Sequence, residues 1–213
     1  MTRVKICGIR TVEEAWAAAE AGADAVGFVF WPRSRRYVSP EVAAHVAQAL
    51  PPFVARVGVF VNEPPERVEE IAAYVGLDAV QLHGDEPPEV CARLRRRVIK
   101  AIRVRDGRSL EVAADYPVSA LLLDTYDPET YGGTGRTFDW SLVEAARFLN
   151  RPLLLSGGLT PENVAEAIRR VRPYGVDASS GVETEGRKDP EKIRAFVAAV
   201  RRADAEGAQT WRP

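Results

Sequence analysis

The chain has 213 residues, is 46% hydrophobic and 28% charged, and carries a formal net charge of -1. That balance describes one soluble domain of α/β-barrel size with a core large enough to need no disulfide or structural metal, and it gives no general attraction to nucleic acid or an anionic membrane. The two cysteines, Cys7 and Cys91, lack metal-type spacing and are expected as reduced thiols; with no apolar run near the roughly 20 residues of a membrane span and a polar "TVEE" too early for a signal peptide, the protein is expected to be cytoplasmic.

Short apolar, β-branched runs alternate with longer segments of helical period. "RVKIC" (3–7) reads as a strand, and "TVEEAWAAAEAG" follows as a helix that Thr11 can cap and Gly22 can stop. "AVGFVF" (25–30) precedes a helix entered through "SPE" at Ser39 to Glu41. "VARVGVFV" (54–61) precedes "PPERVEEIAAYV", where Val68, Ile71, Ala72 and Val75 keep the 3.6-residue period. "AVQL" is followed by a helix after Pro87, "VIKAIRV" by a weaker helix over 109–115, and "ALLLD" (120–124) by a helix after Asp139. "PLLLS" (152–156), "TPENVAEAIRRV", "GVDAS" (175–179) and "DPEKIRAFVAAVRR" complete eight strand–helix units.

Strands that are apolar on both faces belong to a parallel sheet covered by helices. Eight such units in this length predict a single-domain (β/α)8 TIM barrel over residues 1–205. An open doubly wound sheet is disfavoured, because "CGIRT" after the first strand is not a G-x-G-x-x-G turn. The tail over 206–213 lacks an apolar face and is expected to be mobile.

In a barrel the carboxyl ends of all strands meet at one mouth, where the chemistry lies. The first strand delivers Cys7 and Gly8 there. Cys7 is either a small packed thiol or the last residue before an active-site loop. Gly157 and Gly158 in "SGGL" and Ser180 and Gly181 in "SSGVE" form two small-residue loops after the seventh and eighth strands. They are either tight turns or a cradle of backbone N–H groups for phosphate. Asp124 ends an apolar strand, so it either caps the next turn or is a buried carboxyl that holds a proton for general-acid work. "WPRSRRY" places Arg33, Arg35 and Arg36 after the second strand, where a guanidinium can hold a carboxylate in a two-pronged pair. Gln81, His83, Asp177 and Gly133 of the "YGGTG" loop line the same mouth. His83 reads as a hydrogen-bonded histidine, since no second histidine or acidic cluster accompanies it as a metal site.

Taken in order, "KICGI", "GFVFWPRSRRYVSP", "VGVFVN", "VQLHGDE", "LLLDT…GGTGRTFDW", "LLLSGGLTPENV" and "VDASSGVE" resemble the phosphoribosylanthranilate isomerase family from about residue 3 to residue 200. The resemblance implies a cofactor-free and metal-free barrel that performs an Amadori rearrangement on a small phosphosugar substrate in tryptophan biosynthesis. It implies Cys7 as general base, Asp124 as general acid and Arg36 as the holder of the anthranilate carboxylate. The "SGGL" and "SSGVE" loops would hold the phosphate. Lys5 and Arg36 are then expected to lower the thiol's proton affinity. Rival readings are the histidine-pathway isomerase, expected to pair two aspartates, a metal-dependent epimerase, and a non-catalytic phosphate-binding barrel. Apolar residues on the outer helices leave room for a homodimer.

Overall fold

A computed structural model describes residues 1–125, 149 and 151–210. The chain runs β1 (Arg3–Cys7), α1 (Val12–Glu20), β2 (Ala25–Val29), α2 (Pro40–Ala49), β3 (Ala55–Phe60), α3 (Pro65–Val75), β4 (Ala79–Leu82) and α4 (Pro88–Arg93). It continues through β5 (Arg97–Val104), α5 (Gly107–Ala113), β6 (Ala120–Thr125), β7 (Leu153–Leu155), α6 (Val164–Val171) and β8 (Gly175–Ala178). A 3-10 turn (Ser180–Val182), a hairpin of β9 (Glu183–Thr184) and β10 (Arg187–Lys188), and α7 (Pro190–Thr210) follow. Strands β1 to β8 pair in parallel order and close into a barrel, with β1 returning to β8 through Lys5 opposite Asp177 and Ile6 opposite Ala178. The predicted TIM barrel is the fold. The expected helix after Asp139 and the "YGGTG" loop with Gly133 lie outside the described residues.

Local chemistry accounts for the elements. Thr11 caps α1 by accepting from the Glu14 N–H at 3.2 Å, and Ser39 caps α2 ahead of Pro40. Gly76, at φ 72°, ends α3, whose Val68, Ile71, Ala72 and Val75 are buried against the sheet. Side chains alternate across each strand. Leu121 and Leu123 therefore join the main core between sheet and helices, while Leu122, with Ala101, Ala120 and Leu154, fills the barrel's interior. A second interior group, Cys7, Val29 and Val59, lies under Trp31.

Two features depart from the sequence reading. The last helix runs past residue 205 to Thr210, and Glu206 accepts from Arg169 Nη1 at 3.0 Å. Helix extension adds one hydrogen bond per residue and needs no apolar stripe once the helix is nucleated. The β9–β10 hairpin was also not anticipated. Its turn residues Glu185 (φ 51°) and Gly186 (φ 75°) both take positive φ, the requirement of a type I′ turn. The two ends of the barrel meet: Asp204 on α7 accepts from Thr2 N at 2.8 Å and Thr2 Oγ1 at 2.6 Å, and Arg201 donates to the Thr2 carbonyl. Among the described residues no helix is long and apolar enough to cross a membrane.

Candidate active site

Cys7 is the last residue of β1 and is buried, with its side chain turned to the barrel interior. Gly27, its partner on β2, makes the room: a Cβ there would sit 2.8 Å from Cys7 Sγ and 3.1 Å from Lys5 Nζ. Lys5 donates to Asp177 Oδ1 at 2.7 Å, and Ser156 Oγ lies 3.4 Å from Asp177 Oδ2. Both members of the Lys5–Asp177 pair are buried. Burial opposes the Lys5 charge, but Asp177 and the neighbouring thiol outweigh it and hold the ammonium protonated, with its pKa raised.

The thiol itself departs from expectation. Burial pushes its pKa above the ordinary cysteine value, with Lys5 and Lys188 pulling the other way and Asp177 adding to the rise. The sequence shows the cations but not how deeply the sulfur is buried. Arg36, expected beside it as a second cation, is instead paired with a carboxylate.

That carboxylate is Glu183. Arg36 donates through Nε to Oε1 at 2.6 Å and through Nη2 to Oε2 at 2.9 Å, a buried two-pronged pair. Lys188 Nζ donates to the same Glu183 Oε1 at 2.7 Å and to the Ser179 carbonyl at 3.0 Å. Burial would raise Glu183, but the hydrogen bonds from Arg36 and the charge of Lys188 prevail and hold it at about 2. Gly8 allows this arrangement: it takes φ 84°, and a Cβ on it would fall 2.5 Å from Arg36 Cδ. Arg36 therefore lies across the end of β1 with its Nη1 edge outside the Glu183 pair. Glu183 and Lys188 were missed in the sequence, where 147 residues separate Arg36 from Glu183. The closely following "EG" turn was the one available signal.

On the other side of the mouth, Asp124 of β6 is 3% exposed. Its Oδ1 accepts from Thr125 N at 2.8 Å, and its Oδ2 lies 3.0 Å from His83 Nε2. His83 Nδ1 in turn lies 2.8 Å from Gln81 Nε2. Behind β4, the buried Lys100 donates to the Leu82 and Gly84 carbonyls and to Glu86, clamping the backbone on both sides of His83. Asp124 thus ends a chain of three hydrogen-bonded side chains, from β6, from β4 and from the residue just after β4.

The two glycine loops abut. A Cβ on Gly181 would lie 1.9 Å from the Leu159 carbonyl, and one on Gly157 would lie 2.2 Å from Thr125 Oγ1 and 3.0 Å from Asp124 Oδ1. Gly157 and Gly158 both take positive φ, and Asn163 Nδ2 donates to the Gly158 carbonyl at 2.9 Å. The loop after β7 is therefore pinned between the acid on β6 and Ser180–Gly181 after β8. Of the expected site residues, Gly133 alone lies outside the described residues. Among the described residues no cluster of three or more His, Cys, Asp or Glu side chains could hold a metal ion.

Eight parallel strands closed into a barrel, with Cys7, Asp124, Arg36 and the paired glycine loops at its carboxyl-end mouth, place the chain among the TIM-barrel proteins. Residues 4–199 match the family described as N-(5'phosphoribosyl)anthranilate (PRA) isomerase. The chain is 55% identical over 203 residues to the N-(5'-phosphoribosyl)anthranilate isomerase of Citrifermentans bemidjiense, covering 95% of this chain and 98% of that one. It is 56% identical over 200 residues to the Thermotoga maritima protein of the same name, covering 92% and 97%. A crystal structure of the Thermotoga maritima isomerase superposes with a TM-score of 0.87 at 53% identity, covering 94% of this chain and 99% of that one. Another phosphoribosyl anthranilate isomerase structure, in complex with reduced 1-(o-carboxyphenylamino)-1-deoxyribulose 5-phosphate, gives 0.86 at 51%, with the same coverage. The chain belongs to the N-(5'-phosphoribosyl)anthranilate isomerase family.

Proposed function

We propose that this chain converts N-(5'-phosphoribosyl)anthranilate to 1-(2-carboxyphenylamino)-1-deoxyribulose 5-phosphate, with Asp124 as general acid and Cys7 as general base. The reaction follows from family membership. The residue roles rest on one observation: a buried carboxyl and a buried thiol, on β6 and β1, converge at the mouth beside the paired glycine loops. Asp124 protonates the furanose ring oxygen and the C1′–O bond breaks, leaving an iminium at the anilinic nitrogen. The iminium acidifies the C2′ hydrogen, which the Cys7 thiolate removes. The enolamine then tautomerises to the aminoketose, so protons move and no redox partner is consumed.

Arg36 holds the anthranilate carboxylate through the guanidinium edge that Glu183 does not occupy, and Glu183 keeps the other edge from turning away. Backbone N–H groups of Gly157, Gly158, Ser180 and Gly181 surround the phosphate. Gln81, His83 and Asp177 complete the lining. A homodimer belongs to the same reading, since a related isomerase structure is of monomers generated from a dimeric enzyme. Sedimentation should give twice the chain mass, and a single-chain mass overturns the dimer.

The catalytic roles are tested by following loss of substrate fluorescence. Cys7→Ser and Asp124→Asn should each lower kcat by at least roughly 10²-fold, with little change in KM. Near-normal kcat in either variant overturns that residue's assignment.

A further inference from the structure

The buried Gln81 has one unexplained atom: its amide oxygen has no hydrogen-bond partner, while its amide nitrogen lies 2.8 Å from His83 Nδ1. An unsatisfied buried carbonyl is costly, so its position calls for a reason. The donors and acceptors of the trio can be followed one by one. With the Gln81 NH2 donating to Nδ1, that nitrogen carries no proton, so Nε2–H donates to Asp124 Oδ2. This arrangement suits the trio once the acid has given its proton away.

Adding one proton changes every partner. The Thr125 N–H donates to Asp124 Oδ1 and favours its unprotonated form, so the proton enters the Oδ2–Nε2 contact. It resides either on Oδ2, which then donates to a bare Nε2, or on the ring as imidazolium. In both cases Nδ1 bears an N–H and must find an acceptor. A half-turn of the Gln81 amide supplies the oxygen that has no partner in the other state.

We propose that Gln81 and His83 are positioning residues that follow the acid's proton, the Gln81 amide turning over each time the His83–Asp124 pair gains or loses it. The trio stores the proton and presents it at Oδ2. This rests on the reading of Asp124 as the general acid. Among the described residues, the charges near the trio are themselves paired: Lys100 with Glu86 and Arg103 with Asp85, both beside the β4 loop, and Lys5 with Asp177 towards the Cys7 thiol. The proton therefore has the amide, and no nearby unpaired cation or anion among these groups, to answer to.

The test pairs two readouts on the whole protein. The chain has two histidines, so ¹⁵N-histidine spectra resolve both rings, and His45→Gln assigns them. His83 Nδ1 should gain its proton over the same pH range in which the acid-dependent limb of kcat is populated. Gln81→Glu presents acceptors only, so it should move the ring titration and the kcat limb together to higher pH by at least about one unit, with KM within about twofold. The proposal is overturned if Nδ1 stays bare across the limb, or if Gln81→Glu moves only one readout or neither. The wild-type spectra decide the matter should Gln81→Glu fail to fold. Full kcat in Asp124→Asn would remove the acid assignment and leave the proton-coupled turn of Gln81 standing, so the two failures are distinct.

Discussion

At the scale of single residues, the site is governed by which charges are buried together. Cys7 is caught between burial, which raises its proton affinity, and the ammonium groups of Lys5 and Lys188, which lower it. Removing Lys5 takes away the nearer cation, so the thiol must rise further. In a Cys91→Ala background, Lys5→Met should shift the pH midpoint of Cys7 alkylation upward and carry the base-dependent limb of kcat with it. An unchanged midpoint would mean that Lys5 serves Asp177 alone. Glu183 supplies a second, opposite case. Its folded-state value of about 2 lies below the ordinary 4.5, so its contribution to stability is full above about pH 4.5 and is lost as pH falls towards 2. The linkage amounts to on the order of 3 kcal/mol. Acid unfolding of Glu183→Gln should therefore have a shallower dependence on pH through that window than the parent, which a series of denaturant titrations measures. The pairing of Arg36 with Glu183 is not legible in the chain, because the two meet only when β8 closes against β1, whereas Lys5 and Cys7 lie two positions apart on one strand.

At the scale of elements, the loop after β7 serves two neighbours, and one glycine in it and another in the loop after β8 let them approach. A Cβ on Gly157 strikes Thr125 Oγ1 and crowds Asp124 Oδ1, whereas one on Gly181 strikes the Leu159 carbonyl of the adjoining loop. Gly157→Ala should accordingly lower kcat by displacing the end of β6. Gly181→Ala should spread the two loops and raise KM roughly tenfold or more, the loss of one hydrogen bond to a charged group. Steady-state kinetics on the pair reads the split, and equal effects on kcat and KM in both would refute it. These loops were legible as phosphate candidates from their small residues and their place after the last two strands. Their contact with each other and with Asp124 was not, since backbone-to-backbone approach leaves no residue pattern beyond the glycine itself.

For the whole molecule, the eight strands announced themselves through apolar runs at a regular spacing, and Val68, Ile71, Ala72 and Val75 marked the buried face of α3 as expected. Lys100 shows the limit of such reading. Within "VIKAIRV" it looks like a surface charge, yet it is 2% exposed and joined to Glu86 behind the sheet. Breaking that pair strands a buried carboxylate, so Lys100→Met should cost about 3–5 kcal/mol in a denaturant titration. It should also loosen the backbone around His83. A cost below 1 kcal/mol would show that Glu86 finds another partner.

The meeting of Thr2 with Asp204 has a consequence for topology. Eight strands in a closed cycle have no intrinsic first member, and here the hydrogen bonds at the seam bring the two arms of the chain side by side. A short peptide bridge across that seam would turn the barrel into a covalent ring, which can be cut elsewhere. The turn from α3 into β4, ended by Gly76, lies on the face away from the mouth and holds none of the site residues. A circular permutant beginning at Leu77 should keep the barrel and its kcat, because the order in which the strands are made is not what assembles the mouth.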